Sequence, residues 1–177
     1  MIRPHLRELP AMPLPVGFCL RPIQPDEGTA WEDLWNACDP YTRVKPGTFD
    51  ANFGQDPAAI PQRCFFLCAP DGRLIGTMSA WYNRDFRGQE IGRIHWLAVL
   101  GAFRGRGLGA AGLAAMLRKL ARWHRSAYLI TETKRLPAIM LYLRFGFEPA
   151  PADDAETAAW WWVAEQLDHP LLAAYRA

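Results

Sequence analysis

The stretch that decides the fold is residues 97–109, which read LAVLGAFRGRGLG. An apolar run at 97–99 leads into three glycines at alternating positions, and residues with helical spacing follow. Glycine permits a tight turn and lets a ligand approach the backbone without obstruction by a Cβ atom. The first amides of a helix have no partner within it and lie at the positive end of its dipole. With Arg104 and Arg106, this pattern predicts a diphosphate-binding turn between a strand and a helix.

Two other glycine-rich phosphate sites fit this turn less well. A P-loop requires a Lys followed by Ser or Thr after the glycines, and neither pair is present here. Gly105-Arg106-Gly107 with Ala110 does fit the G-x-G-x-x-[G/A] fingerprint of dinucleotide sites. That fingerprint should open a doubly wound sheet, yet only 68 residues follow Gly109, with one clear strand among them. The dinucleotide interpretation is therefore the weaker one.

Working outward from this turn, the spacing of apolar residues predicts a mixed α/β domain. Two apolar runs around Pro70-Asp71-Gly72 indicate a β-hairpin, and residues 91–100 are typical of a central strand. The expected strands are 18–22, 64–69, 74–82, 91–100, 127–133 and 147–149, and the expected helices are 25–38, a short one near 49–53, 107–123, 136–145 and 157–167.

The two ends of the chain are expected to be accessory parts of a single domain spanning residues 1–177. Proline-punctuated residues 1–17 predict an irregular arm, and residues 150–177 predict a helical or strand extension. Asp153 and Glu156 have capping-box spacing, which favours a helix after them. Trp160-Trp161-Trp162 are expected to pack this helix onto the sheet or onto a second subunit in a homodimer.

Composition excludes several classes of function. A chain of 177 residues has the length of one domain, and 20 Lys and Arg against 18 Asp and Glu leave a net charge of +2. This balance provides no strongly basic face for nucleic acid. No apolar run reaches the length of a membrane span, no secretory signal is evident, and the four cysteines lack metal-site spacing. We expect a cytoplasmic protein with reduced thiols that binds neither metal, membrane nor nucleic acid.

Two motifs resemble those of the GCN5-related N-acetyltransferases. The segment Arg104-x-x-Gly107-x-Gly109, at the end of a strand, is similar to that family's R/Q-x-x-G-x-G/A signature. Downstream, residues 136–147 resemble its closing A-x-x-L-Y-x-x-x-G-F element. The resemblance covers residues 64–149, and the chain departs from the family at Gly101, where many members have Pro, and at Arg135, near a common Asn.

The resemblance implies a mostly antiparallel central sheet with a splayed pair of central strands, flanked by helices, that binds acetyl-coenzyme A. In this family the strand before the turn pairs with the pantetheine arm and the turn's amides bind the pyrophosphate. The corresponding residues here are Leu97, Ala98, Val99, Arg104, Gly105, Arg106, Gly107, Leu108 and Gly109. The implied reaction transfers an acetyl group to a primary amine of a small molecule or peptide in a ternary complex.

The resemblance also suggests which residues move protons. It assigns protonation of the leaving thiolate to Tyr142, and stabilisation of the oxyanion to a backbone amide near Val99. His95 is the first candidate base, since alternation places it on the same face as Leu97 and a His occupies this position in the serotonin N-acetyltransferase branch. Glu132 is a second candidate. Each has a structural alternative: a core His bonded to a carbonyl, and a carboxylate paired with Lys134 or Arg93. A water chain would require no named base.

For the acceptor site, the resemblance indicates a position but not the identity of the amine. In the family, the first helix, its following loop and the end of the hairpin form the acceptor wall. The residues expected there are Trp31, Trp35, Tyr41, Trp81 and Tyr82. The rival function on the same fold is a non-catalytic acyl-CoA-binding sensor or partner domain.

Overall fold

A computed structural model describes residues 1–176, and within them six strands form a single sheet. In chain order the strands are β1 (Ile2–Arg3), β2 (Cys19–Pro22), β3 (Cys64–Cys68), β4 (Leu74–Phe86), β5 (Gln89–Val99) and β6 (Ala127–Tyr128). Their order across the sheet is β1-β6-β5-β4-β3-β2. Every neighbouring pair is antiparallel except β5 and β6, which are parallel. The predicted mixed and mostly antiparallel sheet is confirmed.

Helices cover both faces of this sheet. They are α1 (Gly28–Cys38), α2 (Thr48–Phe53), α3 (Ile60–Arg63), α4 (Leu108–Leu120), α5 (Leu136–Arg144) and α6 (Asp154–Gln166), with short 3-10 turns at Pro25–Glu27, Pro57–Ala59, Gly101–Phe103 and Pro170–Tyr175. One core cluster lies between the sheet and α4, and a second lies between the sheet and α1 with α2. No helix within residues 1–176 is both long and apolar enough to cross a bilayer.

The first helix buries the face that its sequence predicts. Trp31, Leu34, Trp35 and Cys38 are all buried, because the i, i+3, i+4, i+7 spacing places them on one side of α1. The helix ends at Asp39, whose backbone is extended and whose amide bonds the carbonyl of Trp35 at 2.9 Å. The C-terminal end of α1 lies beside the carboxyl end of β5, where the glycine-rich turn begins, since Arg104 bonds the carbonyls of both Cys38 and Val99.

The N-terminal arm and the strand at 127–133 both differ from their predictions. Ile2–Arg3 is not irregular but forms β1, and Ile2 also exchanges backbone hydrogen bonds of 2.9 and 2.8 Å with Glu148. This single bridge replaces the expected strand at 147–149. The strand at 127–133 ends at Tyr128, and beyond it Leu129 continues only the pairing with the N-terminal arm, through bonds of 3.0 and 2.9 Å with Met1.

The C-terminal segment is helical. Asp153 caps α6 by accepting a 2.8 Å hydrogen bond from the amide of Glu156, as the capping spacing predicts. The helix packs on α5 and not on the sheet. The three tryptophans do not pack on the sheet, since Trp160 lies against Tyr175 while Trp161 and Trp162 are 55% and 45% exposed, and their packing on a second subunit stays a prediction.

Candidate active site

The turn between β5 and α4 presents a row of unpaired backbone amides. Gly105 and Gly107 have φ of +77° and +76°, and a Cβ atom at either would meet nothing within 4 Å. These glycines are therefore required by the left-handed backbone and not by crowding. Among the described residues no carbonyl accepts from the amides of 105–110, and the first bond of the helix runs from Ala111 to Gly107 at 2.9 Å. Six consecutive amides at the positive end of α4 thus have no backbone acceptor within the described residues.

The two arginines of the turn have different surroundings. Arg104 donates from Nε to the carbonyl of Val99 at 3.1 Å and from Nη2 to the carbonyl of Cys38 at 2.6 Å. Its guanidinium therefore braces the ends of β5 and α1, and its contact with the coenzyme stays a prediction. Arg106 is exposed, lies 5.1 Å from the centre of the Phe103 ring, and has a single weak hydrogen bond of 3.4 Å. Its guanidinium is therefore the less constrained of the two.

A cavity of about 370 Å³ adjoins the turn, and we call it the loop cavity. Of the residues expected to hold the coenzyme, all but Arg106 line it. Its wall also contains an ion pair between Asp39 and Arg135, whose Oδ2 and Nη2 atoms are 2.9 Å apart. The lining residues are Trp35, Cys38, Asp39, Pro40, Tyr41, Leu97, Ala98, Val99, Phe103, Arg104, Gly105, Gly107, Leu108, Gly109, Arg135, Pro137, Ala138 and Leu141.

A second cavity, of about 210 Å³, lies where β5 and β6 separate, and we call it the cleft cavity. These strands pair only at Gly92 with Ala127 and at Arg93 with Tyr128. Within the described residues the rest of β5 therefore has an open backbone edge toward the cavity. The cavity adjoins the loop cavity and shares three residues with it. Its lining residues are Trp35, Thr42, Arg93, Ile94, His95, Trp96, Leu97, Leu129, Ile130, Thr131, Glu132, Arg135 and Tyr142.

A β-bulge in β5 changes the direction of the side chains beside this cavity. Ser79 pairs with His95, and Thr77 pairs with Ala98. Between these two pairs β5 has one residue more than β4, which is a β-bulge, and Trp96 within it has φ of +52°. His95 consequently contacts α2, whereas Leu97 packs in the cluster on the α4 side. The prediction that both share a face is wrong, because simple alternation does not continue through a bulge.

The bulge is held by a hydrogen-bond network that also fixes the state of His95. Asn52 donates from Nδ2 to the carbonyl of Thr48 at 2.8 Å, which leaves its Oδ1 facing β5. This oxygen lies 3.2 Å from the indole Nε1 of Trp96 and 3.1 Å from Nε2 of His95. Since Oδ1 only accepts, the network assigns the imidazole proton to Nε2 and leaves Nδ1 with a lone pair. Burial, with nearby Arg93, holds the pKa of His95 well below its usual value, so the ring is neutral.

Tyr142 lies on α5 with its ring edge against Phe147, and it borders the cleft cavity. It is buried, and the influences on its hydroxyl are this burial and the charge of Arg135. Burial raises the pKa of this hydroxyl to about 12, with Arg135 opposing the change. The phenol therefore stays protonated near neutral pH and can act as a hydrogen-bond donor.

Glu132 forms an ion pair with Lys134, which is the structural role predicted as the alternative to that of a base. Its carboxylate lies 2.7 Å from Lys134 Nζ and 2.8 Å from Arg135 Nη2, and it accepts a 3.1 Å hydrogen bond from Thr42. These partners, Lys134 first, lower the pKa of the carboxyl group. A carboxylate held by three partners must give up part of this network to take a proton, which favours His95 over Glu132 as the base.

The residues expected at the acceptor wall divide into two groups. Trp35 borders both cavities, and Tyr41 borders the loop cavity. The other three lie elsewhere, which corrects the prediction. Trp31 is fully buried in the core, Trp81 packs against Phe53 with ring centres 4.9 Å apart, and the hydroxyl of Tyr82 donates to Asp56 at 2.6 Å. The hairpin continues to Phe86, so its end lies beyond these two residues.

Three polar residues of the site escape sequence reasoning. Thr42 lies in a loop and Asn52 on the short helix α2, and neither segment is long enough for a periodicity that indicates which polar side chains point inward. Arg93 did carry a signal, since a charged residue within an apolar strand is unusual and calls for a partner. Within residues 1–176, no group of three or more His, Cys, Asp or Glu is placed to hold a metal ion.

Comparison with known proteins places these features in a family context. The model of the acetyltransferase (GNAT) family matches residues 25–147. Among solved structures, a GCN5-related N-acetyltransferase from Sphaerobacter thermophilus superposes with a TM-score of 0.64 at 22% identity, covering 82% of this chain. The chain spans 46% of that protein, about half its length. No curated protein matches the sequence.

Two further solved structures contain ligands. Diaminobutyrate acetyltransferase EctA from Paenibacillus lautus, with L-2,4-diaminobutyric acid and coenzyme A, has a TM-score of 0.56 at 17% identity and covers 72% of this chain and 74% of its own. Arabidopsis thaliana Naa50, with the bisubstrate analogue CoA-Ac-MVNAL, has a TM-score of 0.57 at 20% identity and covers 77% of this chain and 86% of its own. At these identities the likeness shows a shared fold.

Proposed function

Because the chain belongs to the acetyltransferase (GNAT) family, we propose that it transfers an acetyl group from acetyl-coenzyme A to a primary amine. The observation that carries the proposal is the row of unpaired amides at 105–110 beside the open edge of β5. A diphosphate and an extended amide-containing chain are the two parts of coenzyme A that such a surface would satisfy.

The residues that would hold the coenzyme lie along the loop cavity. The amides of 105–110 would donate to the pyrophosphate, and the exposed Arg106 would add positive charge. The open edge at 97–99 would pair with the pantetheine amides as another strand does. When bound, acetyl-coenzyme A supplies the thioester whose acetyl group is transferred. Because the two cavities adjoin, its carbonyl end would lie near the cleft cavity, which Tyr142 lines.

Proton transfer in this reaction needs one acceptor and one donor. The amine nitrogen bonds to the acetyl carbon as the carbon–sulfur bond breaks. Nδ1 of the neutral His95 accepts the proton that leaves the nitrogen, and Tyr142 donates its hydroxyl proton to the departing sulfur. A backbone amide on the open edge near Val99 donates to the carbonyl oxygen. Support for these roles comes from the tautomer that Asn52 sets and from the raised pKa of Tyr142.

The acceptor would enter the cleft cavity, because this space adjoins the loop cavity on the side of β5 that carries His95. The relatives with ligands include one crystallised with a small diamine acid and one with a peptide-like analogue. Their range supports a primary amine as the acceptor class, in a small molecule or a peptide.

The experiment that tests this proposal measures acetylated product by mass spectrometry, with acetyl-coenzyme A and a panel of primary amines. Detecting the product avoids interference from the exposed thiol of Cys19, which would react with thiol dyes. We expect amine-dependent product that is strongly reduced in Tyr142→Phe. Binding of acetyl-coenzyme A without transfer to any amine would favour the sensor function, and absence of binding would refute the proposal.

A further inference from the structure

Arg93 is a cation without a counter-ion in the cleft cavity. It lies on β5 opposite Tyr128, and its guanidinium carbon is 5.5 Å from the centre of that ring. Its Nε atom is buried and has no hydrogen-bond partner. Among residues 1–176 no carboxylate lies within ion-pair distance of its guanidinium. A buried N–H left unpaired costs free energy comparable to that of a lost hydrogen bond.

The other cations at this cavity are neutralised within the protein. Arg135 is paired with Asp39 and Glu132, and Lys134 is paired with Glu132. His95, two residues along the strand, is neutral, and the charge of Arg93 contributes to its lowered pKa. The wall of the cavity on β5 therefore carries one uncompensated positive charge. Such a charge is stable only when something anionic or strongly polar meets it.

We propose that Arg93 binds a carboxylate of the acceptor, so that the acceptor class is an amine that also bears a carboxylate. This inference rests on the proposed acetyltransferase function and names the acceptor of that same site. A guanidinium offers two parallel N–H donors to a carboxylate, which fixes orientation as well as charge. With its carboxylate on Arg93, the acceptor would extend its amine along β5 toward His95 and Tyr142, which border the same cavity.

The size of the cavity favours a small acceptor. A volume of about 210 Å³ is below the ~300–1,000 Å³ typical of drug-sized ligands. Trp35 and Trp96 form apolar walls, and the carboxylate of Glu132 is already satisfied by its partners. An amino acid or an ω-amino acid with a short apolar spacer fits these surroundings.

The test compares matched acceptors and matched variants. The acceptors are ω-amino acids of three to six carbons and L-amino acids, each with its carboxamide, and 3-aminopropylphosphonate. The variants are Arg93→Gln, which removes the charge, Arg93→Lys, which keeps it without the planar fork, and Arg118→Gln as a control. Arg118 is an exposed residue of α4 outside both cavities, so its change alters net charge equally.

We expect the wild type and the control to prefer carboxylates over carboxamides by about 10- to 100-fold in kcat/KM, the range expected for a charged hydrogen bond. Arg93→Gln should lose this preference through KM while still binding acetyl-coenzyme A, and Arg93→Lys should recover part of it. Equal use of acids and amides by the wild type would overturn the inference, as would preference for the phosphonate. Failure to transfer to any amine despite coenzyme binding would contradict the proposed acetyltransferase function, and the binding measurement below then decides the role of Arg93.

A binding measurement separates this inference from the proposed function. In ¹⁵N spectra of the full chain with coenzyme A, the Nε–H signal of Arg93 is the one lost in Arg93→Gln. It should shift on addition of 3-aminopropanoate and stay in place with 3-aminopropanamide. An unmoved signal would contradict the carboxylate site. Absence of coenzyme binding would contradict the acetyltransferase proposal, and the Arg93 signal would still show whether the carboxylate binds.

Discussion

The Nη2 atom of Arg104 lies 2.6 Å from the carbonyl oxygen of Cys38, so the glycine-rich turn is tied to the last residue of α1. The same side chain reaches the carbonyl of Val99 from Nε at 3.1 Å. Carbonyls at the end of a helix lack partners within it, and a guanidinium satisfies them well. The position of the unpaired amides therefore depends on α1 as well as on β5.

Substitution of the two arginines of the turn should separate the structural role of Arg104 from the electrostatic role of Arg106. Arg104→Gln removes the link to α1, so we expect unfolding at a temperature lower by a few degrees, about 1 kcal/mol, together with weaker coenzyme binding. Arg106→Gln should weaken coenzyme binding and its dependence on salt while leaving the melting temperature unchanged. Thermal unfolding and calorimetric titration measure both effects. Identical melting behaviour of the two variants would contradict the bracing role of Arg104.

Gly107→Ala should impair coenzyme binding beyond its effect on stability. A non-glycine residue at φ of +76° costs about 1–2 kcal/mol even where space is open. Gly72 in the β3–β4 turn has φ of +84° and is equally open, so Gly72→Ala is a control of similar cost far from the site. We expect similar losses of stability in urea unfolding but weaker coenzyme binding only for Gly107→Ala. Equal affinities would show that the turn does not hold the ligand.

Tyr142→Phe removes the hydroxyl and keeps the ring that packs on Phe147. If this hydroxyl protonates the leaving sulfur, kcat should fall by roughly 10²- to 10⁴-fold, the usual contribution of general acid catalysis. The dissociation constant of coenzyme A should not change. Because the pKa of Tyr142 is about 12, the wild type should also retain its proton donor to at least pH 10. A variant with unaltered kcat would remove Tyr142 from the mechanism.

Asn52→Asp tests whether His95 accepts the proton. A carboxylate at this position would accept from Nε2 of His95 and favour the imidazolium, thereby raising its pKa. The acid limb of the kcat/KM profile should move to higher pH by about one unit, measured with saturating coenzyme. Asn52→Ala, which lacks the carboxylate, serves as the control and should not produce this shift. If the two variants and the wild type share one acid limb, the base is not His95.

Two buried histidines should make the fold less stable in acid. Burial lowers the pKa of His95 and of His124, while both have ordinary values near ~6.5 when unfolded. The unfolded chain therefore takes up protons first as pH falls below about 6.5, and the free energy of unfolding decreases there. Each proton adds a slope of about 1.4 kcal/mol per pH unit. The free energy of unfolding, measured with urea between pH 5 and 8, should show this slope, and His124→Asn should reduce it. An unchanged slope in this variant would contradict the lowered pKa of His124.

The elements that the sequence predicts well are those with local signals. Alternating glycines locate the turn at 105–109, helical spacing locates α1 and α4, and Asp71-Gly72 locates the hairpin. Asp153 likewise marks the start of α6 through its capping bond. In each case the residues that determine the element lie within a few positions of one another.

The features that escape prediction depend on contacts between distant segments. The N-terminal arm forms β1 because it pairs with β6, and Met1 bonds Leu129, a partner 128 positions away in sequence. The bulge at Trp96 is stabilised by Asn52, and its effect on the direction of His95 reverses the simple alternation. Glu132 accepts a hydrogen bond from Thr42, which no sequence pattern connects to it.

Thermal unfolding with and without acetyl-coenzyme A tests the central claim most directly, with a nicotinamide dinucleotide as the control ligand. A ligand at ~100 times its dissociation constant adds about 2.7 kcal/mol, which for a domain of this size raises the melting temperature by roughly 5–10 °C. We predict this rise with acetyl-coenzyme A and none with the dinucleotide. No rise at saturating acetyl-coenzyme A, or an equal rise with the dinucleotide, would contradict the assignment of the turn at 104–109.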